Sequence, residues 1–166
     1  MRVYLAGPDV FLPDPRARAA TLKDLCRSHG LVGVSPLDPL AHEPADWARL
    51  PEAFRIARRN EAHIASCDAL VANLTPFRGP SADVGTVFEL GFARALGRRL
   101  YGWTSDAAPF ATRVAPDGMQ VEDFGLHDNL MIEAAIQASG GAFVVADVTA
   151  RTDLDTFEAC LRTITP

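Results

Sequence analysis

The sequence predicts an α/β fold, a parallel sheet with helices on both faces. Two observations carry this expectation. Short apolar runs alternate with longer segments of helical periodicity along the whole chain. A length of 166 residues suits one sheet covered by helices, and no repeat, low-complexity stretch or linker divides it. Residues 1–166 therefore read as a single domain.

Arg2–Ala6 (RVYLA) is the first strand candidate, ended by Gly7 and Pro8. Residues Pro15 to His29 form a helix, with Asp14 as cap, Pro15 in the first turn and Gly30 as the stop. Leu31–Ser35 is a second short strand, followed by a Pro-rich loop from Pro36 to about Arg49. Pro51 opens a second helix, with Phe54, Ala57, Ala62, Ile64 and Ala65 on its apolar face. Ala69–Leu74 reads as a buried strand and Thr75 to Ser81 as a loop. Asp83 to Leu96 is a third helix, closed by Gly97, and Arg99–Trp103 the next strand. Thr104 to Asp123 is a connection long enough to mark a lid or a subunit contact. A helix over Asn129 to Ala138, a strand over Ala142–Ala146 and a helix over Leu154 to Leu161 complete the pattern. Such βα alternation places ligands beyond the carboxyl ends of the strands.

Composition excludes several classes. With 48% hydrophobic and 22% charged residues the chain is ordinary globular protein. A net charge of -5 argues against nucleic-acid polymers, which call for a basic face. No apolar run is long enough to span a bilayer, and the N-terminus is not a signal peptide. Cys26, Cys67 and Cys160 are odd in number and widely spaced, which fits buried reduced thiols and a cytoplasmic location. His29, His42, His63 and His127 lack metal spacing, and neither a GxGxxG fingerprint nor a P-loop occurs. No metal or cofactor is expected.

The local anomaly is the helix that begins at Asp83. Between Val84 and Ala93 its one charge is Glu89, on a helix whose apolar side chains predict burial around most of its circumference. A carboxylate there costs several kcal/mol unless it is paired or used. From position alone two readings stand open: an ion pair with Arg94 or Arg98, or a functional group. Gly85, one turn earlier, leaves room for a ligand to approach Glu89. Asp83 suits an N-cap and, at the end of a strand, also faces a cleft. Two carboxylates near one pocket suit glycosidic chemistry. The segment from Tyr4 to Phe11 contributes Gly7 and Asp9 in a turn, and Phe11 either stacks on a base or packs in the core. Arg78 is the cation of the 75–81 loop.

Three motifs in register, YLAGPDVF, CDALVANLTPFRGPSADVGTVFELGFA and FGLHDNLMI, resemble the nucleoside 2-deoxyribosyltransferases, from Met1 to about Phe143. The resemblance implies a flavodoxin-like five-stranded parallel sheet and an enzyme of nucleoside salvage that exchanges the nucleobases of 2′-deoxynucleosides. It implies Glu89 as nucleophile, Asp83 as the companion that binds sugar hydroxyls, and Tyr4 as the group that holds the nucleophile. It also implies a homo-oligomer in which Asn129 and Met131 enter the neighbouring subunit's site. Members of the lactobacillus type carry an aspartate near the middle of the second helix; Asn60 stands there in this chain. An amide hydrogen-bonds a base but cannot act as an acid, so the proton donor falls to Asp83 or Asp9. Asn60 and the PFRG loop resemble the branch that includes kinetoplastid enzymes. An N-glycoside hydrolase of deoxynucleosides or their 5′-monophosphates is the alternative enzyme, and a non-catalytic nucleotide-binding module the alternative of another class.

Overall fold

Alternation along the first strand sets the layers. In the computed structural model, which describes residues 1–147 and 150–164, β1 spans Arg2–Ala6. Its successive side chains point to opposite faces. Val3 and Leu5 pack with Leu22 and Cys26 of α1 (Pro15–Ser28) and with Phe157 and Leu161 of α6 (Asp153–Arg162). Tyr4 and Ala6 pack on the other face with Ile64 of α2 (Glu52–Ala65), Leu90 of α3 (Val84–Ala95) and Ile136 of α5 (Leu130–Ala138). Two apolar clusters, one on each side of the sheet, supply most of the burial that holds these layers.

The remaining strands are β2 (Val32–Val34), β3 (Ala69–Asn73), β4 (Arg99–Thr104) and β5 (Phe143–Val145). All pairings are parallel, in the order β2-β1-β3-β4-β5, which is the predicted five-stranded architecture with helices on both faces. The chain runs outward from β1 in both directions, so the β1/β3 boundary is the switch point where a cleft opens. Strand ends differ from expectation by a residue or two. Three predicted loops contain single turns of helix: Pro8–Phe11, Ala45–Arg49 and α4 (Phe110–Arg113). All three cysteines are free and buried. Among the described residues no helix is long and apolar enough to cross a membrane.

Two helix faces depart from the sequence reading. α3 is not buried around most of its circumference: Val84 is 86% and Phe88 64% exposed. The sheet takes up only the stripe of Thr86, Leu90 and Ala93, at the i, i+4, i+7 spacing that one packed face requires. On α2 the buried residues are His63 and Ile64, while Phe54, 64% exposed, and Ala65 fall outside that stripe.

Candidate functional site

A cleft of about 850 Å³ opens at the switch point, lined by Gly7, Phe11, Asn60, Asp83, Gly85 and Glu89 among others. Each reaches it for a local reason. Gly7 ends β1, and the following turn over Pro8–Phe11 carries Phe11 outward. A Cβ on Gly7 would lie 2.8 Å from Asn73 Cβ and 2.9 Å from Asp9 Oδ2, so the turn packs directly on β3. We expect Gly7→Ala to lower the urea midpoint by the equivalent of about 2 kcal/mol or more, the usual scale for overpacking. An unchanged midpoint would mean that the turn is not wedged against β3.

Asp83 caps α3: its Oδ2 accepts from the Thr86 N–H at 3.0 Å and from the Thr86 hydroxyl at 3.1 Å. Oδ1 carries no protein hydrogen bond among the described residues. Two turns on, Glu89 points to the cleft. Its Oε1 accepts from the Tyr4 hydroxyl at 2.8 Å and from Asn60 Nδ2 at 3.0 Å. Tyr4 can do this because the alternation of β1 turns it toward α2 and α3. Glu89 has no ion pair among the described residues, and Arg98 donates to the Ala65 carbonyl instead. The structural ion pair is therefore not what holds this carboxylate.

Burial pushes the Glu89 carboxyl up from 4.5 to about 7; the hydrogen bonds from Tyr4 and Asn60 oppose the rise, and the Asp83 charge adds to it. Burial and the Glu89 charge raise the Tyr4 phenol, which keeps it a donor. Five carboxylates line the cleft: Asp38, Glu43, Glu52, Asp83 and Glu89. Lys23 holds Asp38 at 2.8 Å, Arg59 holds Glu43 at 2.5 Å and Arg55 holds Glu52 at 2.6 Å. Only Asp83 and Glu89 lack a cation among the described residues. A desolvated carboxyl beside a second cleft carboxylate, neither paired with a cation among the described residues, marks a candidate functional site.

Other residues singled out by sequence lie elsewhere. Asp9 turns away from the cleft: Arg18 Nε donates to its Oδ1 at 2.8 Å and Asn73 Nδ2 to its Oδ2 at 3.1 Å. Arg78 is not among the lining residues. Its guanidinium lies 5.0 Å from the Phe11 ring and 4.7 Å from the Phe77 ring, and those two rings stack at 5.3 Å. Phe11 is thus a half-exposed wall, not core. Asn129 caps α5 through the Met131 N–H, and Met131 is 69% exposed; neither lines this cleft. Asp128, inside a motif read only for its neighbours, is 2% exposed and accepts from the loop that leads to Asp83. No local signal marks it, since it lies just before the Asn129 cap of α5 between two polar residues.

Comparison with known proteins gives the family and the fold. The family model described as nucleoside 2-deoxyribosyltransferase matches residues 3–131. A 2-deoxyribosyltransferase from Leishmania mexicana superposes with a TM-score of 0.69 at 32% identity, covering 97% of both chains. An uncharacterized protein of Schizosaccharomyces pombe is 32% identical, over 87% of this chain and 81% of its own length. A conserved protein from Enterococcus faecalis shares the fold, with a TM-score of 0.62 at 21% identity over 98% of this chain and 96% of its own. With a carboxylate pair at the switch point and a family match over most of its length, the chain belongs to the nucleoside 2-deoxyribosyltransferase family and is a glycosyltransferase.

Proposed function

We propose that the chain transfers 2-deoxyribose from one nucleobase to another by double displacement, with Glu89 as the covalent nucleophile. The observation that carries this is the arrangement of Glu89: Oε1 is fixed by two neutral donors, and among the described residues no cation pairs with the carboxylate and no donor reaches Oε2. Oε2 attacks C1′ through an oxocarbenium-like transition state as the C1′–N bond breaks, its electron pair passing to the departing base. That nitrogen takes up a proton. An incoming base then attacks C1′ from the vacated face, the C1′–O bond returns its electrons to Glu89, and the new base gives up its proton. The β configuration is retained, and water in place of the second base yields slow hydrolysis. A 2′-hydroxyl withdraws electrons from the developing cation and crowds Glu89, which favours deoxyribose.

Asp9 is spent on Arg18 and Asn73, so Asp83 is the better proton carrier. A 5′-monophosphate is disfavoured. The cleft lining holds five carboxylates against Arg16 and Arg59, and Arg59 is already occupied by Glu43. The exposed Val84 and Phe88 beside Glu89, with Met131 facing solvent, support a homo-oligomer whose neighbouring subunit completes the site.

The decisive experiment is intact-protein mass spectrometry after exposure to a 2-fluoro-2-deoxy nucleoside, run beside product analysis with one deoxynucleoside and a second free base. A sugar adduct on the Glu89 peptide and a new nucleoside are expected. Free deoxyribose alone at high acceptor concentration would remove the transferase reading. Adduct on another residue would remove Glu89.

Ionised Glu89 is the attacking form, so kcat/KM should climb with pH and level off above about 7. The Tyr4 hydroxyl favours that form, and Tyr4→Phe is expected to move the acid limb upward, with a loss of roughly tenfold near neutrality. An unshifted limb would show that the phenol does not set the charge on Glu89.

A further inference from the structure

We infer that Asp128 is a positioning residue, which sets the place of the Asp83 carboxylate by gripping the loop immediately before it. The inference rests on the reading of Asp83 as a working group of the cleft. Asp128 is 2% exposed. Its Oδ1 accepts from the Ser81 hydroxyl and from the Asn129 N–H at 2.8 Å, and its Oδ2 accepts from the Ala82 N–H at 2.8 Å. All three donors are neutral. A buried carboxylate is tolerated only when both oxygens are supplied in this way, and charge-assisted bonds of this kind are short and strong.

The grip is local and directional. Ala82 is followed at once by Asp83, whose Oδ2 is committed to Thr86, so the free Oδ1 is placed by the backbone that Asp128 holds. Arg113 reinforces the same stretch, its Nε donating to the Pro80 carbonyl at 2.8 Å. Another of its donors reaches the carbonyl of His127, next to Asp128. Pro80 is thus tied to Arg113, and Ser81 and Ala82 to Asp128, both from the stretch between β4 and α5. An asparagine at 128 would offer one acceptor oxygen and turn an amide N–H toward a donor. Displacement of a reacting group by an ångström costs about a hundredfold in rate. Among the described residues, none of the hydrogen-bond partners of Asp128 lines the cleft, so its effect runs through Asp83.

The test is a double-mutant cycle on the full chain. Asp128→Asn and Ser81→Ala are each made alone and in the Asp83→Asn background, with kcat and KM for base exchange and thermal unfolding as readouts. Asp128→Asn should lower kcat by about thirtyfold with KM changed less than about threefold. In the Asp83→Asn background the same change should cost less than about threefold, since the group it positions is already gone. Ser81→Ala should show the same pattern at smaller amplitude, and it decides the matter if Asp128→Asn does not fold. Unchanged kcat in the variant tested, or losses that multiply in full on top of a real Asp83→Asn defect, would overturn the role of Asp128. Unchanged exchange in Asp83→Asn alone would overturn the reading beneath it.

Discussion

Replacing Glu89 with glutamine is expected to abolish base exchange by at least about a thousandfold and, at pH 8, to make the protein more stable. The two effects share one cause. The Glu89 carboxyl titrates near 7 in the folded chain against 4.5 for an ordinary glutamate. Between those values the native state holds a proton that the unfolded chain has released. Stability contributed by this group is therefore present below about 4.5 and lost as pH rises through about 7. The loss amounts to roughly 3 kcal/mol by pH 8. Glutamine keeps an oxygen for the Tyr4 hydroxyl and Asn60 Nδ2, carries no charge to desolvate, and cannot form a glycosyl ester. Glu89→Gln should raise the melting temperature by about 5–10 °C at pH 8 and by little at pH 5. A difference independent of pH would mean that the carboxylate is not desolvated as described. Retained exchange would mean that it is not the nucleophile.

The same residue marks how far sequence alone could go. Strand and helix periods, with Gly30 and Gly97 as stops, are local signals, and they give the layers and the end of the sheet where a ligand binds, while the strand order that puts the cleft at β1/β3 is not local. Charge in an apolar helix flagged Glu89, but whether it pairs with Arg94 or Arg98 is a question of tertiary direction. Only the register that turns Tyr4 toward α3 answers it. Asp9 and Asp83 look alike in sequence, each beside a turn. Arg18, nine residues from Asp9, and Asn73 at the end of β3 remove the former from contention. Asp128 was invisible because its donors, Ser81 and Ala82, lie 46–47 residues away. The apolar positions Val84 and Phe88 misled for the opposite reason. Hydrophobicity states that a face avoids water, not whether the sheet or another chain covers it.

Asp83 carries the second large effect, and it separates structural from chemical duty. As an N-cap, asparagine serves as well as aspartate and alanine does not. Asp83→Asn should therefore leave the unfolding midpoint within about 0.5 kcal/mol of the parent, while Asp83→Ala costs about 1 kcal/mol. If Oδ1 moves a proton for the departing base, both variants lose exchange activity by about a hundredfold or more. The Asp83 charge also raises the Glu89 carboxyl, so both substitutions should shift the acid limb of kcat/KM downward. Full activity in Asp83→Asn with loss confined to Asp83→Ala would reduce Asp83 to a cap. The proton would then have to come from solvent or from a residue of a second subunit, because the other three carboxylates of the cleft are held by Lys23, Arg59 and Arg55. A loss of exchange in Asp83→Asn, with its stability intact, would instead tie proton transfer to the carboxylate that shares the cleft with Glu89.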